Sequence, residues 1–209
     1  MLEKNIIKQV LGKALSTGGD FAEIFVEDSI NNNISLVNGK IDGAVAGRDF
    51  GIGIRIFKGF KSVYAYTNDK SLEGMLETAY KASCAIGELK EEVAINIMER
   101  INTNIHPILY VPSTIQNANK IEVMKRTYKS AKDYSKEITQ VIVNYLDKDQ
   151  KVLIANSDGL FTQDRRIRTR IHINSIASNG IENQVGFEAP GRFMGFEMFD
   201  SVDVEHLAK

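Results

Sequence analysis

The side chains best suited to catalysis are few: His106, His172, His206 and a single cysteine, Cys84. No histidine has a second one four residues away, the spacing that sets two imidazoles on one side of a helix to share a zinc ion. His106 precedes Pro107, which favours extended or turn backbone; His172 lies in a strand pattern; His206 sits near the carboxyl end. Each is expected to be structural or solvated. Cys84 alone makes no internal disulfide and no cysteine cage for zinc, and its place in a helical pattern predicts a buried structural thiol. A Ser, His and Asp triad is recognised by geometry, so spacing assigns none. Taken alone, the residues display no catalytic centre.

Three segments have binding chemistry instead. Gly51-Ile52-Gly53 lies inside a strand pattern rather than between a strand and a helix, so it is not a phosphate loop. Its glycines mark a bulge or close backbone approach, either structural or making room for an extended ligand. Arg55 alternates with Ile54 and Ile56 and leaves the other face, toward solvent or a carboxylate. From Arg165 to Asn174, the residues Arg168, Arg170, His172 and Asn174 share one face, and Ile167, Ile171 and Ile173 the other. Such a basic face meets water, a peptide or partner, or phosphates, and this segment has no aromatics of its own to stack on bases. Between Gly186 and Glu197, three glycines, a proline and three phenylalanines form either a packed loop closing the sheet or the flank of a groove.

These residues need elements to position them. Apolar spacing predicts helices over 2–16, over 72–86 behind a cap at Asn68, Asp69 or Ser71, and over 115–134. Strands are expected at Phe21 to Ile30, on to Leu36-Val37, at Ile41 to Arg48, at Gly51 to Phe57 and at Ser62 to Thr67, a meander turning at Asn38-Gly39 and Lys58-Gly59. A second set is expected at Ile138 to Leu146, Val152 to Ala155 and Arg165 to Ala177, continuing past Asn179-Gly180 to Phe187. The glycine spacings 39 to 59 and 159 to 180 suggest that the halves are structural cousins. The reading is α+β, antiparallel sheets with amphipathic helices in two helix-plus-meander halves: 1–87, a linker over 88–112 beginning with the acidic Glu88 to Glu92, and 113–209, with one integrated domain as the alternative.

With 26 Lys and Arg against 27 Asp and Glu in 209 residues, the net charge of -1 supplies no overall field for nucleic acid or an anionic membrane. Charges break the amino-terminal segment, and no stretch approaches the roughly 20 apolar residues of a membrane span, so a cytoplasmic protein is expected.

In this order the segments resemble the amino-terminal half of the TldD/PmbA family, named as modulators of DNA gyrase and zinc-dependent peptidases. The resemblance rests on the first helix followed by Ala22 to Glu27, the Leu36 to Lys40 turn, and Gly51 to Arg55. It continues through Ala65 to Asn68, Asn156 to Gly159, the arginine-rich strand, and Gly191 to Glu197. It implies a metallopeptidase whose zinc sits on a His-Glu-x-x-x-His helix in a carboxyl-terminal half missing here. No catalytic or metal residue therefore carries over to this sequence. The chain alone is expected to be inactive and truncated, since Asp203 caps a helix that stops after barely one turn. Its expected role is a substrate-access and partner-contacting domain, with Arg55, Asn156 and Arg192 as candidate substrate-binding residues. The expected partners are a peptide or unfolded-protein substrate and a family subunit in a homo- or hetero-oligomer, with no membrane and no nucleic acid. The alternative is a non-catalytic fragment of a partner subunit, and exposed apolar edges are expected to favour self-association.

Overall fold

The computed structural model describes residues 2–87, 92–103 and 105–209. In chain order the elements are α1 (Lys4–Leu15), β1 (Phe21–Val37), β2 (Lys40–Lys58), β3 (Lys61–Thr67), α2 (Leu72–Cys84) and β4 (Met98–Ile101). They are followed by α3 (Asn117–Tyr134), β5 (Ile138–Asn156), β6 (Leu160–Ser178), β7 (Asn183–Glu188), β8 (Gly191–Arg192), α4 (Met198–Ser201) and α5 (Val204–Leu207). The fold is α+β. A helix, two long strands and a short strand occur in that order in each half, as α1-β1-β2-β3 and α3-β5-β6-β7.

The chain forms two compact units, each from three stretches. The first comprises Met1–Asp28, Asp49–Asn104 and Lys151–Arg165; the second comprises Ser29–Arg48, Ile105–Gln150 and Arg166–Lys209. Residues 1–87 and 113–209, expected as consecutive bodies, thus each contribute to both. The cause is strand length: β1, β2, β5 and β6 run 17 to 19 residues, long enough for one end to serve each unit. Three of them are continuous where the residue pattern predicts a break. They stay whole partly because mid-strand polar residues are satisfied sideways, as where Asn32 Nδ2 donates to Asp147 Oδ1 at 2.7 Å. Glu88 to Glu91 of the expected linker lie outside the described residues, but Met98–Ile101 of it forms β4, which pairs parallel with Leu160–Gln163 of β6. The β2–β3, β6–β7 and β6–β8 pairings are antiparallel.

In the first unit, Ile7, Val10, Leu11 and Ala14 of α1 and Met75, Ala79 and Ala82 of α2 pack on Ala22, Ile24, Val26, Ile52, Ile54 and Ile56. Burying each large aliphatic side chain contributes about 1.5–3 kcal/mol. The isoleucine face is as the alternation requires. Cys84, expected to be buried, is exposed, because α2 turns Met75, Ala79, Ala82 and Ser83 inward and the next position leaves that stripe.

In the second unit, Val123, Met124 and Ala131 of α3 cover Ile34, Leu36, Val141, Val143, Tyr145, Ile171 and Ile173, and Met198, Val202 and Val204 complete the core. The β1–β2 turn is a tight primed hairpin, with φ 47° at Asn38 and 79° at Gly39. A Cβ at Gly39 would lie 2.8 Å from the Tyr128 ring, so both backbone angle and packing require glycine there. One buried ion pair crosses this core: Lys120 Nζ of α3 donates to Asp147 Oδ2 of β5 at 2.8 Å. Burial, and then the charge of Asp147, push the neighbouring Tyr145 phenol far above its ordinary value.

Candidate functional site

Strict alternation along β6 builds the candidate site, which lies within the second unit. Ile167, Thr169, Ile171 and Ile173 are buried toward the core, while Arg168 and Arg170 are exposed on the other face and His172 and Asn174 are half-buried there. β7 and β8 lie antiparallel beside it, with Asn174 opposite Phe187, Ile176 opposite Val185 and Arg170 opposite Gly191. Residues opposite each other share a face, so Phe187 and Val185 extend the outer face. Both are more than 60% exposed.

Aromatic rings border the two arginines. The Arg168 guanidinium lies 5.3 Å from the centre of the Phe193 ring, which in turn meets the His106 ring at 4.9 Å with the planes tilted by 49°. Arg170 Nε donates to the Ala189 carbonyl at 3.3 Å, and the Phe187 ring meets His172 edge-on at 6.0 Å. Burial, and then the positive charge of Arg170, hold the His172 imidazole below its ordinary pKa, so it is neutral near pH 7. Its Nε2 and the Asn174 Oδ1 are buried without a hydrogen-bond partner among the described residues. The face thus offers two exposed cations and apolar rings, with two neutral polar atoms buried beneath them. Arginine forks suit carboxylates, and the rings suit apolar side chains. Along its border, β7 pairs with β6 alone among the described residues, which leaves the other edge of β7 open to an extended chain.

The loop that carries Phe193 is pinned by Glu197, a residue only 4% exposed. Its carboxylate accepts from the backbone N–H of Leu109 at 3.2 Å, Tyr110 at 2.8 Å and Gly195 at 2.9 Å. Burial alone would push this carboxyl up, but the backbone hydrogen bonds outweigh it and hold the pKa below its ordinary value. Gly195 packs so closely on the Tyr110 carbonyl that no Cβ fits.

The three residues expected to bind substrate are not gathered here. Arg55 lies in the first unit, half-exposed, with Nη1 3.2 Å from Glu23 Oε1 and its guanidinium 5.5 Å from the Tyr64 ring. Both destinations expected for it are met at once, since the side chain is exposed and its carboxylate partner lies at the surface with it. The close approach at Gly53 is by the Tyr64 side chain. Asn156, also in the first unit, closes the β5–β6 turn by accepting from Leu160 N–H through Oδ1 at 3.0 Å. Arg192 in the second unit is exposed, but its register opposite Thr169 points it away from the Arg168 face. Sequence reasoning missed Phe187, Phe193 and His106 as neighbours of the arginines. Their signal was the phenylalanine density of residues 186–197, and what it lacked was the pairing that brings them beside β6.

The side chains also answer whether a metal belongs here. Among the described residues, no group of three or more His, Cys, Asp or Glu is placed to hold a metal ion. The described residues do not form a zinc site. No helix among the described residues is long and apolar enough to cross a membrane.

Residues 22–83 match the PmbA/TldA metallopeptidase domain 1, and residues 110–209 match the PmbA/TldA metallopeptidase central domain. A metalloprotease of Methanothermobacter thermautotrophicus is 25% identical over 91% of this chain and 41% of its own length. A metalloprotease of Methanocaldococcus jannaschii is 26% identical over 86% of this chain and 40% of its own. The crystal structure of TldE from Thermococcus kodakarensis superposes on 97% of this chain and 45% of its own, with a TM-score of 0.72 at 16% identity. The chain therefore spans about 40% of the length of the curated relatives it matches. On the strength of two successive domain matches and a shared fold, the chain belongs to the TldD/PmbA metallopeptidase family.

Proposed function

We propose that this chain is the substrate-access and partner-contacting portion of a cytoplasmic TldD/PmbA-type zinc metallopeptidase, with the metal held by residues outside these 209. The observation that carries the reading is the outer face of β6 beside the open edge of β7. An extended peptide added to β7 gains backbone hydrogen bonds, while Phe187, Val185 and the Arg168 and Arg170 side chains read alternate residues along it. Arg55 and Arg192, both exposed, are secondary candidates for holding the peptide, and Asn156 supports the turn that sets β6. The TldE likeness supports a family subunit as the macromolecular partner.

Fluorescence anisotropy of a labelled, unfolded peptide rich in Asp and Phe tests the reading. Arg168→Glu with Arg170→Glu is expected to weaken binding at least about tenfold, equivalent to ~1.4 kcal/mol, and wild-type binding is expected to fall as salt rises. Unchanged affinity in the doubly substituted chain would remove the proposed peptide surface.

A further inference from the structure

The inner face of the β6–β7 pair, within the second unit, holds a groove. Residues opposite each other share a face, so Glu188 lies on the core side with Ile173, Gly186 with Ser175 and Gln184 with Ala177. Ile173 is buried under the helices, yet all three β7 residues are exposed, because the helical cover leaves β7 open. The groove between the two has a volume of about 480 Å³, in the range of sites for small ligands, roughly 300–1,000 Å³. Its lining is mainly apolar, with Ala131 and Tyr134 of α3, Leu207 of α5, and Ile138, Ile173 and Ala177 of the sheet. Glu188 and Lys209, the charged residues of the lining, have opposite signs, so the groove favours apolar surface rather than one charge.

The position of the groove identifies its occupant. A strand added to the open edge of β7 alternates its side chains between the two faces of the sheet. One set joins Val185 and Phe187 outside, and the other joins Gln184, Gly186 and Glu188 at the groove. Gly186 makes a notch in that inner row. Its φ lies outside the left-handed region, and a Cβ built there would meet nothing nearer than the Ser175 carbonyl oxygen at 4.0 Å. Neither the backbone angle nor the packing of this chain requires glycine at that position, whereas a side chain there would stand between an added strand and the groove. A large aliphatic or aromatic side chain suits the lining, since burying it leaves no polar group to satisfy. Resting on the peptide reading above, we infer that the groove is a specificity pocket of that site, taking a large apolar side chain from the peptide residue opposite Gly186. Its neighbours along the peptide face outward, on the side of Phe187 and the two arginines.

Anisotropy titrations of the full chain with a matched pair of labelled peptides test the inference. Both peptides carry Asp and Phe at alternate positions, and the positions between are all Leu in one and all Ala in the other. The leucine peptide is expected to bind at least about tenfold more tightly. Gly186→Leu, which fills the notch from within the chain, is expected to abolish that preference while leaving affinity for the alanine peptide within about twofold. Tyr134→Ala, at an exposed position of the groove wall, is expected to reduce the preference without changing the melting temperature. Equal wild-type affinities for two peptides that both bind through Arg168 and Arg170 would overturn the pocket and leave the peptide surface standing. A preference that Gly186→Leu leaves unchanged would overturn it as well. Binding of neither peptide would overturn both readings. Sedimentation of the wild type and Gly186→Leu adds a last check. Self-association lost in the variant, with the peptide preference unchanged, would overturn the inference by placing a second copy of the chain in the groove.

Discussion

Asp147→Ala is expected to destabilise the protein by about 3–5 kcal/mol, because it strands a buried cation. Lys120 and Asp147 have side chains only 2% and 1% exposed, their polar atoms are 2.8 Å apart, and Asn32 donates to the second carboxylate oxygen. Removing the carboxylate leaves the ammonium in an apolar setting, against the Tyr145 ring 5.1 Å away, with its principal counterion gone. The loss is expected to lower the melting temperature by about 10 °C or more in a chain of this size. Lys120→Met together with Asp147→Leu is expected to recover most of the loss, because replacing a whole buried pair by apolar groups removes the desolvation penalty along with the attraction. Paired denaturant titrations check this. A single substitution that costs less than about 1 kcal/mol would mean that the pair is solvated in solution.

Glu197→Ala is expected to cost roughly 2–4 kcal/mol and to release the loop that holds Phe193 beside Arg168, since three backbone N–H groups lose their acceptor at once. Its ionisation adds a pH signature. The carboxyl pKa is lowered in the folded chain, so the native state favours the ionised form. That contribution is fully present above the ordinary carboxylate pKa and is lost as pH falls through the lowered one. Glu197→Gln should therefore be less stable than wild type at neutral pH, and the gap should close in acid. Denaturant midpoints across an acid series measure the gap, and a constant difference at all pH values would show that the carboxylate charge is not what the loop uses.

Much of the fold was legible because its signals are local. The alternation of Ile52, Ile54 and Ile56, the positive φ angles needed at Asn38-Gly39, and the three-and-four spacing on α3 each depend on neighbours in sequence. Strand continuity was not legible. Asn32 and Asp147 read as chain breakers until a partner 115 residues away satisfies both, and the interleaving of the two units follows from the resulting strand length. The same limit governed the candidate site. The face shared by Arg168, Arg170, His172 and Asn174 could be read from period two. Phe187 and Phe193 beside it depend on strand pairings, and the carboxylate near Arg55 belongs to Glu23, 32 residues earlier. Cys84 failed for a smaller reason, since one position of helical register separates a buried Ser83 from an exposed thiol.

Under the proposed function, these 209 residues bind substrate without performing the chemistry. Hydrolysis of an unfolded peptide by the purified chain, with zinc added and with chelator added, tests it most directly when run alongside the binding measurement. Saturable peptide binding with no turnover above the uncatalysed rate is expected in either condition. Turnover that zinc supports and chelator abolishes would contradict it, by showing a working metal site within the chain itself.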